Sequence, residues 1–218
     1  MIIIFDLDGT LIDSKERHIL VLKDILDNEK ITYDKEKLKD LVKFKSSGKN
    51  TKTFLIENLN IPLEIADKVN KKWVKLIENK KYLKYDTKYG DVDYVLKMLS
   101  KDNIIYFLTA RQSKKNIKKE LIELDLYKYC KKLYVVSPKK SKNGKIKVVN
   151  KIITNNCKVI IVGDTEVEYS VAKKLNIHHY ILNRGFRNEK YWNDKNIKNY
   201  KNLRSLKNEI DKLLTDWI

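Results

Sequence analysis

Asp6 and Asp8, separated only by Leu7, lie directly behind the apolar run Ile2 to Phe5 and are followed by Gly9 and Thr10. Two carboxylates at that spacing off a buried strand face one pocket only if the backbone unwinds locally, which Gly9 permits. Ionised together they form a hard-oxygen site suited to Mg²⁺, a cation that takes few carboxylates and keeps several waters. In isolation the same residues also fit an Asp-Gly turn with no chemistry. Two further apolar runs end in residues able to join them: Ile104 to Leu108 leads into Thr109, and Val159 to Val162 leads into Gly163 and Asp164.

The elements that must hold these residues are short, β-branched apolar runs, the pattern of strands buried on both faces of a parallel sheet. Leu133 to Val136 and His179 to Leu182 are two more, and stretches of helical period such as Asn116 to Leu126 and Val167 to Leu175 alternate with them. That alternation predicts a doubly wound α/β fold with a Rossmann-like parallel sheet. In such sheets ligands bind beyond the carboxyl ends of the strands, so Asp6, Thr109 and Asp164 should converge. About ninety residues separate the first two strands, far more than an ordinary connection. The apolar spacing of Ile19, Leu22, Ile25 and Leu26, of Leu38, Leu41 and Val42, and of Ile65, Val69, Trp73 and Leu76 predicts an inserted helical domain over residues 14–86. Residues 1–13 and 87–218 then form the core. Lys43 to Thr51, with Ser46, Ser47 and Gly48, is the main break in the insertion, and Lys45, Lys49 and Lys52 flank it.

Taken together, Asp6-Leu7-Asp8-Gly9-Thr10, the strand ending in Thr109, and Gly163-Asp164 with Glu168 and Ala172 behind it resemble the haloacid dehalogenase superfamily. The likeness is to its phosphatase branch, which carries a helical cap after the first motif and includes phosphoglycolate phosphatases and β-phosphoglucomutases. The resemblance implies Asp6 as nucleophile, Asp8 as general acid and then base, and Thr109 as phosphate anchor. It implies Gly9, Thr10 and Ala110 as further phosphate contacts. Mg²⁺ would be held by Asp6, Asp8 and Asp164, with Glu168, which replaces the customary Asp, either ligating it or orienting its surroundings.

The resemblance also requires a lysine between nucleophile and phosphate. Ten lysines and no acid lie between Leu126 and Gly163, so most of them face solvent. Lys145 precedes the apolar positions Ile146, Val148, Val149, Ile152 and Ile153 at the entrance to a helix, and stands nineteen residues before Asp164. It ranks first and Lys147 second, with Lys139, Lys140, Lys142 and Lys151 as the remaining candidates. In Asn183-Arg184-Gly185-Phe186-Arg187, Arg187 is a candidate substrate contact, and Lys49 is another in the cap loop. Glu166 reads as an exposed loop acid, His18, His178 and His179 as structural, Trp73 as cap core and Cys157 as an inert apolar residue. Ser46-Ser47-Gly48-Lys49 lacks the full nucleotide-binding pattern and its preceding strand.

Composition sets the outer limits. With 218 residues, 42% hydrophobic and 35% charged, the chain is long enough for a substantial core and too apolar for disorder. Two cysteines exclude a disulfide scaffold and point to a reducing cytoplasm. No apolar run approaches the ~20 residues that span a bilayer. The net charge of +18 raises nucleic acid as a partner, but only five of 47 cationic residues are arginine, the residue that reads phosphates and base edges in two-point fashion. The expected substrate is a small phosphorylated metabolite, with at most weak, nonspecific nucleic-acid binding. A phosphosugar mutase and a nucleic-acid end-processing phosphatase are the alternatives.

Overall fold

The computed structural model describes residues 1–153 and 158–215, so Cys157 lies outside the described residues. In chain order the elements are β1 (Ile2–Phe5), β2 (Ile12–Asp13), α1 (Lys15–Asn28), α2 (Lys35–Leu38), α3 (Leu41–Ser46), α4 (Thr51–Glu57), α5 (Leu63–Leu76), α6 (Lys80–Leu83), β3 (Thr87–Lys88) and α7 (Val92–Leu99). They continue as β4 (Ile104–Ala110), α8 (Lys114–Glu123), β5 (Lys132–Val136), α9 (Ser141–Ile152), β6 (Val159–Gly163), α10 (Glu166–Leu175), β7 (His178–Ile181), α11 (Glu189–Asn193) and α12 (Leu203–Thr215).

Five strands form a parallel sheet in the order β5-β4-β1-β6-β7. The central strand β1 is apolar at every position because it is covered on both faces. Ile3 and Phe5 pack with Val95 and Leu96 of α7, Leu121 of α8 and Leu206 and Ile210 of α12. Ile2 and Ile4 point the other way, toward Val149 and Ile152 of α9 and Val171 and Ala172 of α10. Phe5 lies opposite Phe107 of β4 on one side and Val162 of β6 on the other, so Asp6, Thr109 and Asp164 leave neighbouring strands at nearly the same level. The chain turns from β1 toward both neighbours, and that is where an open α/β sheet has its crevice.

Helices α1 to α6 enclose an apolar cluster of their own, built on Val21, Leu22, Leu26, Leu41, Phe54, Leu55 and Val69. The chain enters and leaves this cap through β2 and β3, whose two-residue antiparallel pairing sets Ile12 opposite Lys88 and Asp13 opposite Thr87. Strands this short carry no periodicity, which is why the sequence pattern did not reveal them. The break in the cap is also narrower than Lys43 to Thr51: α3 runs on to Ser46 and α4 starts at Thr51, leaving four residues between. Gly48 is required there. Its φ is +93°, and a Cβ would meet the Tyr191 ring at 2.7 Å, so the turn rests directly on α11 of the core.

Candidate active site

The loop after β1 is built by its backbone. The Leu11 and Ile12 amides both donate to the Leu7 carbonyl at 2.9 Å, and the Gly9 amide donates to the Ile12 carbonyl at 2.7 Å. Gly9 has φ +78°, and a Cβ there would stand 2.2 Å from Asp164 Oδ2. Only glycine allows both the turn and the approach of Asp164. Asp164 is fully buried, accepts from the Phe186 amide at 2.7 Å and from Thr10 Oγ1 at 3.3 Å, and faces Asp6.

Lys145 reaches the same point from α9. Its Nζ donates to Asp6 Oδ1 at 2.5 Å and to Glu168 Oε1 at 2.6 Å, with the lysine 2% exposed. The helix begins at Ser141, four residues earlier than the sequence pattern placed it, and Gly144 lets it lie close to β5, since a Cβ would meet Val136 at 2.9 Å. Glu168 is aimed by a capping box at the start of α10: its other oxygen takes the Thr165 hydroxyl at 2.6 Å and the Thr165 amide at 3.3 Å. Carboxylate oxygens of Asp6, Asp164 and Glu168 all lie within 4.8 Å of one another.

Three buried carboxyls thus cluster about one ammonium, which is bonded to two of them, Asp6 and Glu168. Burial first, then Glu168 and Asp8, push Asp6 up to about 7 against the pull of Lys145. Burial and the neighbouring Asp6 and Glu168 raise Asp164 well above the usual range. For Lys145 burial works against the charge, but Asp6 and Glu168 outweigh it and hold the ammonium above its ordinary value. A cluster with this excess of negative charge fits a divalent cation bound to hard oxygens.

Asp8 lies in different surroundings. Arg111, just beyond β4, donates from Nε to Oδ2 at 2.7 Å and from Nη2 to Oδ1 at 2.8 Å, while Arg17 on α1 donates from Nη2 to Oδ1 at 2.6 Å. Burial opposes the charge, yet the two guanidiniums prevail and hold Asp8 far below the usual carboxylate range. Behind them, Glu120 pairs with Arg111 at 3.2 Å and Asp86 lies 3.2 Å from Arg17. Burial pushes Asp86 up to about 9 in spite of Arg17, with Asp8 and Glu120 adding to the rise.

Residues 3–182 match the family of haloacid dehalogenase-like hydrolases. The chain belongs to that family. Among solved structures, a candidate phosphatase from Clostridium difficile is 23% identical with a TM-score of 0.75, over 95% of this chain and 96% of that one. A haloacid dehalogenase-like family hydrolase from Streptococcus pneumoniae is 16% identical with a TM-score of 0.73, over 94% and 96% of the two chains. The Bacillus subtilis protein YfnB, a candidate HAD-hydrolase with magnesium bound, is 15% identical with a TM-score of 0.60, over 90% and 98%. A comparison with curated proteins finds no match.

Within this hydrolase fold the sequence-derived candidates divide. Asp6, Thr109, Ala110, Lys145 and Glu168 line one cavity of about 150 Å³, while Thr10 and Asp164, bonded to each other, are fully buried. The Asp8 carboxylate lines the cavity but stands outside the acidic triplet, with two arginines bonded to its oxygens. Lys49 is not among the residues that line this cavity: its ammonium pairs with Glu57 at 2.5 Å and lies over the Phe44 ring, within the cap. Arg187 is also committed elsewhere. It forms a two-point fork with Glu166 at 2.8 Å and donates to the Lys45 carbonyl at 2.9 Å, so Glu166 is its partner rather than a free loop acid.

Residues outside that set also stand at the site. Lys45 places its Nζ 2.8 Å from His18 Nδ1, between the rings of Trp73 and Phe186 at 5.0 and 4.8 Å. Burial, reinforced by Arg187 and Arg17, brings Lys45 down to about 7. Burial and the adjacent Lys45 likewise keep His18 well below its usual value. Arg17, His18, Trp73, Val74, Ile77, Arg111 and Phe186 line a second cavity of about 250 Å³, which shares Asp8, Ala110 and Phe186 with the first. Trp73 is therefore a cavity wall as well as a support for the cap. A signal existed for Arg17 and His18: they fall on the apolar stripe of α1 that continues through Val21, Leu22 and Ile25, where a charged side chain needs a buried partner. Nothing near Arg111 in the sequence sets it apart.

Proposed function

We propose that this hydrolase is a Mg²⁺-dependent phosphatase of small phosphorylated metabolites in the cytoplasm, working through an aspartyl phosphate on Asp6. The observation that carries the reading is the buried convergence of Asp6, Asp164, Glu168 and Lys145 at the carboxyl ends of β1 and β6, beside Thr109. Asp6 and Asp164, with Glu168 beside them, would hold the cation, whose chemistry is to neutralise phosphate oxygens that otherwise repel a carboxylate.

Lys145 holds the Asp6 carboxylate in one rotamer and offers positive charge beside it, and Glu168 fixes the lysine in turn. Asp6 then forms a bond to phosphorus as the ester oxygen leaves. To protonate that oxygen Asp8 must first loosen its bonds to the two guanidiniums and take up a proton from solvent, and it later takes a proton from the water that splits the acyl phosphate. The cap supports a small substrate. Residues of α5 and the loop after it meet the core where the Gln112 amide donates to Glu78 at 2.7 Å, and the end of α3 meets it where Asn188 Nδ2 donates to Ser46 Oγ at 3.0 Å. A polynucleotide end would need that lid to stand open. The positive charge supports only salt-sensitive, nonspecific nucleic-acid binding.

The test is phosphate release from a panel of phosphate esters with and without Mg²⁺, together with mass spectrometry of acid-quenched protein. Phosphate release that needs the cation, with a phosphoryl adduct on the peptide holding Asp6, is expected. An isomeric phosphosugar as the product would convert the reading to a mutase, and turnover without any adduct on Asp6 would remove the covalent route.

A further inference from the structure

The cap is bonded to the core in two places, and the two differ in kind. At the end of α3 the cap offers only uncharged acceptors: Ser46 Oγ takes Asn188 Nδ2 at 3.0 Å, and the Ser46 carbonyl takes the Asn188 amide at 3.4 Å. Beyond α5 it offers a full charge. Glu78 accepts the Gln112 amide on Oε1 at 2.7 Å and on Oε2 at 2.9 Å, and the Ser113 amide on Oε2 at 3.1 Å. Core side chains hold the same stretch, since Gln112 Nε2 donates to the Val74 carbonyl at 2.7 Å and Asn116 Nδ2 to the Glu78 carbonyl at 3.3 Å.

The two amides stand at the start of α8. Ser113 is its N-cap, and the Ser113 hydroxyl already takes the Asn116 amide at 3.2 Å. The first turn carries Lys114 and Lys115 and no acid, so the positive end of this helix has no anion of its own. Glu78 supplies one from the cap. No ion pair among the described residues engages Glu78, so these amides and the helix end are what meet its charge. Val74, Ile77 and Glu78 of the cap line the 250 Å³ cavity together with Ala110, Arg111 and Gln112 of the core, and the bonds from Gln112 to Glu78 join the two sides. The same wall is tied to α1, where Trp73 Nε1 donates to the His18 carbonyl at 3.3 Å, next to the Arg17 that reaches Asp8.

We propose that Glu78 is a specificity-determining latch: its carboxylate on the α8 amides keeps the cap down and so excludes phosphate esters whose leaving group is larger than the cavities. This deepens the phosphatase reading above and rests on it. A small ester is enclosed with the latch made, whereas a polymer end holds the cap off and forfeits these bonds. Discrimination against the large ester then equals the worth of the latch, a factor of roughly 10 to 100 for hydrogen bonds to a charged group.

The experiment compares the Mg²⁺-loaded wild type with Glu78→Gln, Glu78→Ala and Glu64→Ala, the last replacing an exposed acid in the first turn of α5. Hydrogen exchange is followed on the peptides that hold Gln112 with Ser113 and that hold Asn188. Glu78→Ala should speed exchange in both, because a released cap also draws Ser46 away from Asn188. Glu78→Gln keeps an oxygen without the charge and should fall between, and Glu64→Ala should match wild type. The second readout is kcat/KM on a 5′-phosphorylated oligonucleotide divided by kcat/KM on p-nitrophenyl phosphate, taken within each variant so that any shared loss from imperfect folding cancels. Glu78→Ala should raise this ratio roughly 10- to 100-fold. Faster exchange confined to Gln112 and Ser113 would overturn the latch and mark Glu78 as a local cap of α8. An unchanged ratio, or an equal rise in Glu64→Ala, would overturn the assignment of selectivity to Glu78 while leaving the phosphatase intact. No phosphate from p-nitrophenyl phosphate in wild type would overturn the phosphatase reading, whereas unchanged exchange at Asn188 in Glu78→Ala overturns the latch by itself.

Discussion

Asp6 and Asp8 are two residues apart in the chain, yet the protein places them in surroundings of opposite character. Asp6 faces two further buried carboxyls and one ammonium; Asp8 faces two guanidiniums. The first group holds excess negative charge and drives Asp6 toward its neutral form, while the second holds Asp8 ionised. Two like residues acquire different tasks because partners, rather than residue type, set their charge. The comparison also separates their needs. The Asp6 side is suited to a cation, and the Asp8 side already contains the cations that an anion would seek.

The largest effect should come from breaking the Asp6 side. Asp6→Asn is expected to abolish Mg²⁺-dependent phosphate release, whereas Asp8→Asn should cost ~10²- to 10⁴-fold in kcat, the usual worth of a general acid and base. A turnover assay with a thermal melt of each variant checks both, and Asp6→Asn working near the wild-type rate would end the covalent mechanism. Next, Lys145→Ala should lose far more activity than Lys140→Ala or Lys142→Ala, because Lys145 is buried against Asp6 while the other two are exposed. An inactive Lys140→Ala beside an active Lys145→Ala would contradict the geometry.

The Asp8 side is sharpened by stability. Glu120 is 4% exposed and pairs only with Arg111 among the ion pairs of the described residues, while Arg111 keeps Asp8, so Glu120→Gln should lower the urea midpoint by an amount corresponding to about 1–3 kcal/mol, the cost of a weakened buried hydrogen bond to a charged group. No change in midpoint would mean that Arg111 is fully satisfied by Asp8. The smallest effect concerns Lys45. With its folded value depressed to about 7 from 10.5, the unfolded chain binds the extra proton between those values, so this residue makes stability rise with pH across that window. Lys45→Met should therefore melt above wild type at pH 7, and the difference should shrink toward pH 10. A constant difference would show that the lysine keeps its proton throughout.

How much of this could be read in advance follows from how local each signal is. The strands of the parallel sheet lie within two residues of their apolar runs, because a strand covered on both faces must be apolar at nearly every position. Asp6, Thr109 and Asp164 were legible for the same reason, each being the first polar group beyond such a run. Lys145 was harder. It is one of ten lysines in an acid-free stretch, and only the seating of α9 against β5, through Gly144 and Val136, turns it inward.

What local pattern could not carry was partnership across the chain. Lys145 meets Asp6 over 139 positions and Arg111 meets Asp8 over 103, separations at which no helical or strand period links two residues. The alternation of apolar runs and amphipathic stretches was enough to indicate the layered α/β core and its inserted cap, and Asp6 to Thr10, Thr109 and Gly163-Asp164 together carried the resemblance to the family. The packing of the cap onto the core decided that Asp8 belongs to arginines rather than to the acidic triplet, that Lys45 and not Lys49 stands over the site, and that Arg187 is bound to Glu166. Buried charges take the partners that folding brings within reach, and for these residues the nearest opposite charge is a product of the tertiary structure.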